Sequence, residues 1–112
     1  MEERIRKWLF DIKLSIDEID SYFDNRNKDF LEYRKDLILK RAIERNLEII
    51  GEAVNRIIKV EPDIDISNAK SIISLRNFII HSYDRISDEN IWGIISKHLP
   101  ILKDDIEKML SS

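Results

Sequence analysis

Cysteine is absent from the 112 residues, and glycine and proline occur only twice each. The first absence excludes disulfides and thiolate metal sites and fits a reducing compartment. The second argues against an all-β fold, which needs a turn signal roughly every ten residues. No stretch approaches the roughly eighteen uncharged apolar residues of a membrane-spanning helix, so no membrane association is expected. The opening MEERIRKWLFDI has neither the apolar run nor the small-residue cleavage site of a secretory signal, and a cytoplasmic location is the expectation. Basic excess is missing too. The net charge is −3 at pH 7, which is not the profile of a protein that coats nucleic acid. Charge is mixed along the chain: RKDLILKR (Arg34 to Arg41) is locally basic and EPDID (Glu61 to Asp65) acidic.

What is present is 43% hydrophobic and 37% charged residues, enough apolar side chain for one core beneath a charged surface. The length suits one domain spanning residues 1–112. Trp8, Leu9, Ile12, Ile16, Ile19 and Phe23 recur at spacings of three and four and predict a first helix over about Glu2 to Phe23. Asn27 is a candidate cap for the next helix. From Lys28 to Lys59 the chain has no proline, and that is long for one globular helix. A break is expected between Tyr33 and Asp36, with Asp36 capping a new helix. Beyond it Ile43, Leu47, Ile50, Val54 and Ile57 form the main core stripe. Gly51 lies inside this helix, where glycine costs about 1 kcal/mol relative to alanine; close approach of another helix is the expected reason.

Pro62 ends that helix, and EPDIDIS (Glu61 to Ser67) reads as a loop. Ser67 or Asn68 can cap a helix running to about Ser82, and Tyr83 to Ser87 forms a second connection. Asp88 is a candidate cap for a last helix carrying Ile91, Ile94, Ile95, Leu99, Leu102, Ile106, Met109 and Leu110, with a kink or break expected at Pro100. These elements amount to an all-α bundle of about five helices.

Between two of them lies RNFIIHSYDRI (Arg76 to Ile86), an apolar helix threaded with Arg76, Asn77, His81 and Tyr83. At 100° per residue, Arg76 and Tyr83 share one face and Asn77 and His81 another. Arg76 and His81 fall about 140° apart on a regular helix. They converge only if the helix loosens, if the arginine wraps round, or if a second copy contributes across a two-fold axis. The chemistry these residue types suit is phosphodiester cleavage. Histidine exchanges protons near neutral pH. Arginine matches phosphate oxygens and stabilises the charge that develops on a pentavalent phosphorus. RNA supplies its own nucleophile in the 2′-hydroxyl, so neither metal nor cofactor is expected, and the chain offers no strong metal site. A capping histidine and a salt-bridged arginine are the plainer alternative.

The run Arg76-Asn77-Phe78-Ile79-Ile80-His81-Ser82-Tyr83 resembles the Arg-x4-His-x-Tyr motif of HEPN-domain toxins of the HepT type. Asn77 fits the polar position after the arginine in the broader HEPN pattern. IIGEAVNRI (Ile49 to Ile57) resembles the long central helix of that family with its Gly-Glu-Ala core. The length, the loop ahead of the motif helix and the final helix opening near IWGII also match, so the resemblance covers nearly the whole chain. It implies a homodimeric helical bundle with the motif helices near the two-fold axis. It implies a metal-independent endoribonuclease acting as the toxin of a type VII-like toxin–antitoxin system, on transfer or messenger RNA. It implies a partner, an MNT-type nucleotidyltransferase antitoxin that adds AMP to the motif tyrosine, here Tyr83, and it allows a larger hetero-oligomer with that antitoxin. By this analogy His81 is the general acid/base, Arg76 the phosphate and transition-state stabiliser, Asn77 a polar positioning residue and Tyr83 the modification target. Arg85 is a candidate additional RNA contact. The alternatives are a non-catalytic module that binds nucleotides or a partner, and a structural dimer whose arginine and histidine only bridge the interface.

Among other residues, His98 is expected to be an exposed helix residue without a role. Glu52 is a candidate carboxylate partner for Arg76. Trp8 and Trp92 read as core or interface anchors before base-stacking platforms. Arg34, Lys35, Lys40, Arg41 and Arg45 are either a basic flank or an ordinary solvated face.

Overall fold

The computed structural model describes residues 1–81 and 87–111, with the side chains of Phe78 and His81 outside that description. Helix α1 spans Glu3–Ser21, α2 Phe30–Lys35, α3 Leu37–Val60 and α4 Ala69–His81. The last helical run joins α5 (Asp88–Gly93), a π-helical segment (Ile94–His98) and α6 (Leu99–Leu110) end to end. Counted as rods, the chain is a five-helix, all-α bundle with no strand among the described residues.

The bundle is built around α3. Its stripe Ile43, Leu47, Ile50, Val54 and Ile57 is buried, as the spacing predicts, against Ile5, Leu9, Ile12, Ile16 and Ile19 of α1. Leu99, Leu102 and Ile106 of α6 close the other side of α1. A second cluster packs Phe23, Phe30, Tyr33 and Trp92 edge-on and tilted, with ring centroids 5.3 to 6.4 Å apart. Trp92 thus packs onto the core through these rings while staying half-buried, as does Ile94 of the same run.

Asp36 breaks the second helical region where expected. Its backbone leaves the helical region, and its carboxylate accepts from Leu39 N–H at 3.0 Å, capping α3. Two other caps differ from expectation. Asp29, not Asn27, caps α2, because its carboxylate is the one within reach of Leu31 N–H, at 3.3 Å. Ser87, not Asp88, caps α5: its hydroxyl accepts from Asn90 N–H, while Asp88 is already helical and pairs with Lys40 at 3.1 Å. At Pro100, where a kink or break was expected, the helical run continues, with a π-helical segment just upstream. Leu99 N–H reaches the Ile94 carbonyl, five residues back, and the helix widens before a residue that has no N–H and whose ring would strike the preceding turn.

Candidate active site

Helices α3 and α4 approach closely at Gly51. A Cβ placed there would lie 2.2 Å from Arg76 Cβ, 2.8 Å from Arg76 Cγ and 3.3 Å from the Ile72 carbonyl oxygen. No side chain fits in that space, which explains a glycine inside a 24-residue helix. The void is filled by the stem of Arg76, so the glycine sets where the arginine emerges. The adjacent residue then holds the head group. Glu52 Oε2 lies 2.6 Å from Arg76 Nη2, and Glu52 Oε1 accepts from Arg56 Nε at 3.1 Å. Arg76 Nη1 donates to Asn77 Oδ1 at 2.9 Å. The Nε of Arg76 is buried and has no hydrogen-bond partner among the described residues. The expected carboxylate partner is therefore Glu52, and Asn77 does contact the arginine.

The guanidinium opens into a cleft of about 370 Å³ between α1, α3 and α4. Trp8 and Asp11 of α1, Arg45 and Glu48 of α3, and Ile80 of α4 complete its walls. Asp11 is not singled out by the sequence, and Glu48 stands out there only by its spacing of four from Glu52, too few ligands for a metal site. Their place here follows from how α1 docks on α3, which no local pattern in the chain announces. The charges balance: Arg45, Arg56 and Arg76 face Asp11, Glu48 and Glu52, and Arg45 lies 3.7 Å from Glu48. Ile80, 41% exposed, leaves an apolar edge on α4 beside the cleft.

Helix α4 is α-helical through His81, so the backbone positions of Arg76 and His81 stay about 140° apart. The structure thus brings Arg76 and Asn77 together and puts position 81 on another face of the same helix. Tyr83 and Arg85 lie outside the described residues, as does most of the expected connection from Tyr83 to Ser87. Among the described residues no three histidine or carboxylate side chains gather as a metal site, and no helix is long and apolar enough to cross a membrane. His98 is exposed, its Nδ1 3.3 Å from Asn68 Nδ2. In the basic stretch Lys40 pairs with Asp88 and Arg41 with Glu44, while Arg34 and Lys35 are exposed.

A family model described as Ribonuclease HepT-like matches residues 12–109. The chain belongs to the HepT-like ribonuclease family. Relatives support the assignment over most of their length. "Putative RNase MJ1216" of Methanocaldococcus jannaschii is 28% identical over 107 residues, 95% of this chain and 87% of the relative. "Putative RNase MJ1380" of the same organism is 30% identical over 105 residues, 92% of this chain and 94% of the relative. "Putative RNase TTE0752" of Caldanaerobacter subterraneus subsp. tengcongensis is 35% identical over 82 residues, 72% of this chain and 73% of the relative. No solved structure matches the chain significantly. Within this HepT-like bundle, the Gly51 contact and the Glu52 ion pair are devices that position one arginine.

Proposed function

We propose that this HepT-like protein is a metal-independent endoribonuclease whose site combines Arg76 and His81 across a homodimer axis. The observation that supports it best is the seating of Arg76: stem against Gly51, head group held by Glu52 and Asn77. An arginine fixed in this way is ready for a phosphate without having to be ordered at the moment of reaction. In the reaction His81 takes the proton of the RNA 2′-hydroxyl. The 2′-oxygen attacks the adjacent phosphorus, and Arg76 stabilises the charge on the pentavalent intermediate. The 5′-oxygen leaves with a proton supplied by an imidazole, giving a 2′,3′-cyclic phosphate and a 5′-hydroxyl. Because positions 76 and 81 diverge on α4, the partner's copy of α4 supplies the opposing group. Ile80, exposed next to Arg76, gives that helix pair an apolar contact.

The same reading makes the chain the toxin of a toxin–antitoxin pair. Its partner is an MNT-type nucleotidyltransferase that transfers AMP to the Tyr83 hydroxyl. A bulky anion two residues after His81 would occupy the phosphate position and repel RNA. The test is cleavage of total transfer and messenger RNA in EDTA, by protein whose intact mass excludes AMP. Wild type should cut, while His81→Ala and Arg76→Ala should fold, dimerise and lose at least about a hundredfold in rate, the usual scale for a general acid–base or a charge stabiliser. Intact RNA with wild-type protein would leave a partner- or nucleotide-binding module instead.

A further inference from the structure

The second large depression in the molecule is on the opposite side of α4 from the Arg76 cleft. It is a groove of about 700 Å³ between α4 and the last helical run. Ile72, Leu75 and Ile94 give it an apolar floor, and Lys70, Lys97 and His98 stand on its rim with one carboxylate, Glu89. Most other cations of the molecule are spoken for, in ion pairs such as Lys13–Asp17, Lys40–Asp88 and Arg56–Glu52. Lys70 and Lys97 have no carboxylate partner among the described residues. The Arg76 cleft, by contrast, balances its charges internally.

Gly93 lines this groove and has the helical angles φ −59° and ψ −40°. A Cβ there would meet nothing within 4 Å. Neither backbone conformation nor packing against the described residues accounts for a glycine at a helical position, where it lowers stability. Close approach of a bound ligand to the backbone does account for it. Two irregularities flank the same groove: Asn68 has a left-handed backbone, φ 59°, and the π-helical segment ends at His98, against which the Asn68 side chain rests. The widening has its local cause in Pro100. Its effect is to set Ile94, Lys97 and His98 along one wall.

We infer that this groove binds the RNA strand, with phosphates at Lys70 and Lys97 and a base laid over Gly93 between Leu75 and Ile94. The inference rests on the ribonuclease reading and adds where the substrate lies. Helix geometry supports the route. Positions 70, 74 and 81 differ by 11 and 7 residues, so the backbone position of His81 follows Lys70 and Ser74 along one face of α4, about 16 Å from the first. A strand held in the groove is thereby led toward position 81, and on the dimer reading the partner's copy of α4 brings the arginine to it from the other side.

The probe is a short fluorescein-labelled 2′-O-methyl RNA of mixed sequence, which binds but lacks the nucleophile. Its affinity for the full protein is measured by anisotropy across a salt series. Lys70→Gln combined with Lys97→Gln should weaken binding at least about fivefold and reduce the slope of log affinity against log salt by roughly 1.4, two single-strand phosphates at about 0.7 each. Gly93→Leu should fill the groove and weaken binding similarly, with circular dichroism and Tm retained. Unchanged affinity in Gly93→Leu overturns the groove even where lysine loss weakens binding, because a diffuse cationic surface gives that pattern. If wild type cuts RNA and the groove variants bind like wild type, only this inference falls. If wild type neither binds nor cuts RNA, the ribonuclease reading falls with it.

Discussion

Gly51 and Gly93 are the chain's only two glycines, and both stand in helices. Nothing could be added at Gly51 without moving Arg76, whereas a side chain at Gly93 would project into open space. The same residue at the same kind of backbone position thus answers opposite demands. One glycine lets two helices close on each other and fixes a guanidinium; the other keeps a surface flat. From this contrast, the α3–α4 seam is the rigid half of α4's surroundings and the groove is its open half. Substitutions at the two glycines should therefore move stability in opposite directions.

The largest effect is expected at the seam. Gly51→Ala puts a methyl group 2.2 Å from Arg76 Cβ and 2.8 Å from Cγ. Arg76 Cβ is fixed to the α4 backbone and is not the free end of a side chain, so the helix itself must shift. Overpacking of this kind costs about 1–3 kcal/mol or more, of which alanine's better helix propensity returns only about 1 kcal/mol. Urea denaturation measures it, and RNA cleavage should fall as well, since Arg76 is displaced. A neutral or stabilising Gly51→Ala would refute the close approach of the two helices.

Next in size is Glu52→Gln. Glu52 and Arg76 are about one-third and one-quarter exposed at the side chain, so solvent screening holds the stability loss to about 1 kcal/mol. Its value is in comparing readouts. If the ion pair positions Arg76, kcat for RNA cleavage drops more than that small stability loss implies, while KM changes little. A proportionate fall in folded protein alone would instead assign Glu52 to stability and leave the arginine's seat to Gly51.

Much of the seam was legible from the chain, and the groove was not. A glycine in the middle of an apolar stripe with a three–four repeat has few explanations, and close helix approach is the usual one. Glu52 follows it directly and was the nearest carboxylate to offer the arginine. The α3 break at Asp36 was equally readable, because a short acidic side chain ahead of an apolar periodicity is a cap. The groove depends on how two helices distant in sequence lie side by side, which no local period encodes. Nothing in the sequence pattern sets Lys70 and Lys97 apart; the structure puts both on one rim, with no carboxylate partner among the described residues. Gly93, within IWGII, passed as part of a helix. What could have raised it is the mismatch between a helical surround and the poorest helix former after proline, with no stripe of its own to complete.

The smallest effect sharpens the contrast most. Gly93→Ala should stabilise the protein by about 0.5–1 kcal/mol, because alanine restricts the unfolded chain and the added methyl strikes nothing. Thermal denaturation reads this as a modest rise in Tm. The change would then improve the fold at a position the protein has left unimproved, as expected where backbone exposure has a use outside stability. Alanine is also small enough to leave most of the groove open, so RNA affinity should fall far less than in Gly93→Leu. A graded loss from glycine through alanine to leucine, set against a rise in Tm at the first step, would separate occupancy of the groove from damage to the helix. A drop in Tm for Gly93→Ala would mean that the last helical run needs the glycine for its own path past Pro100, and the contrast between the two glycines would dissolve.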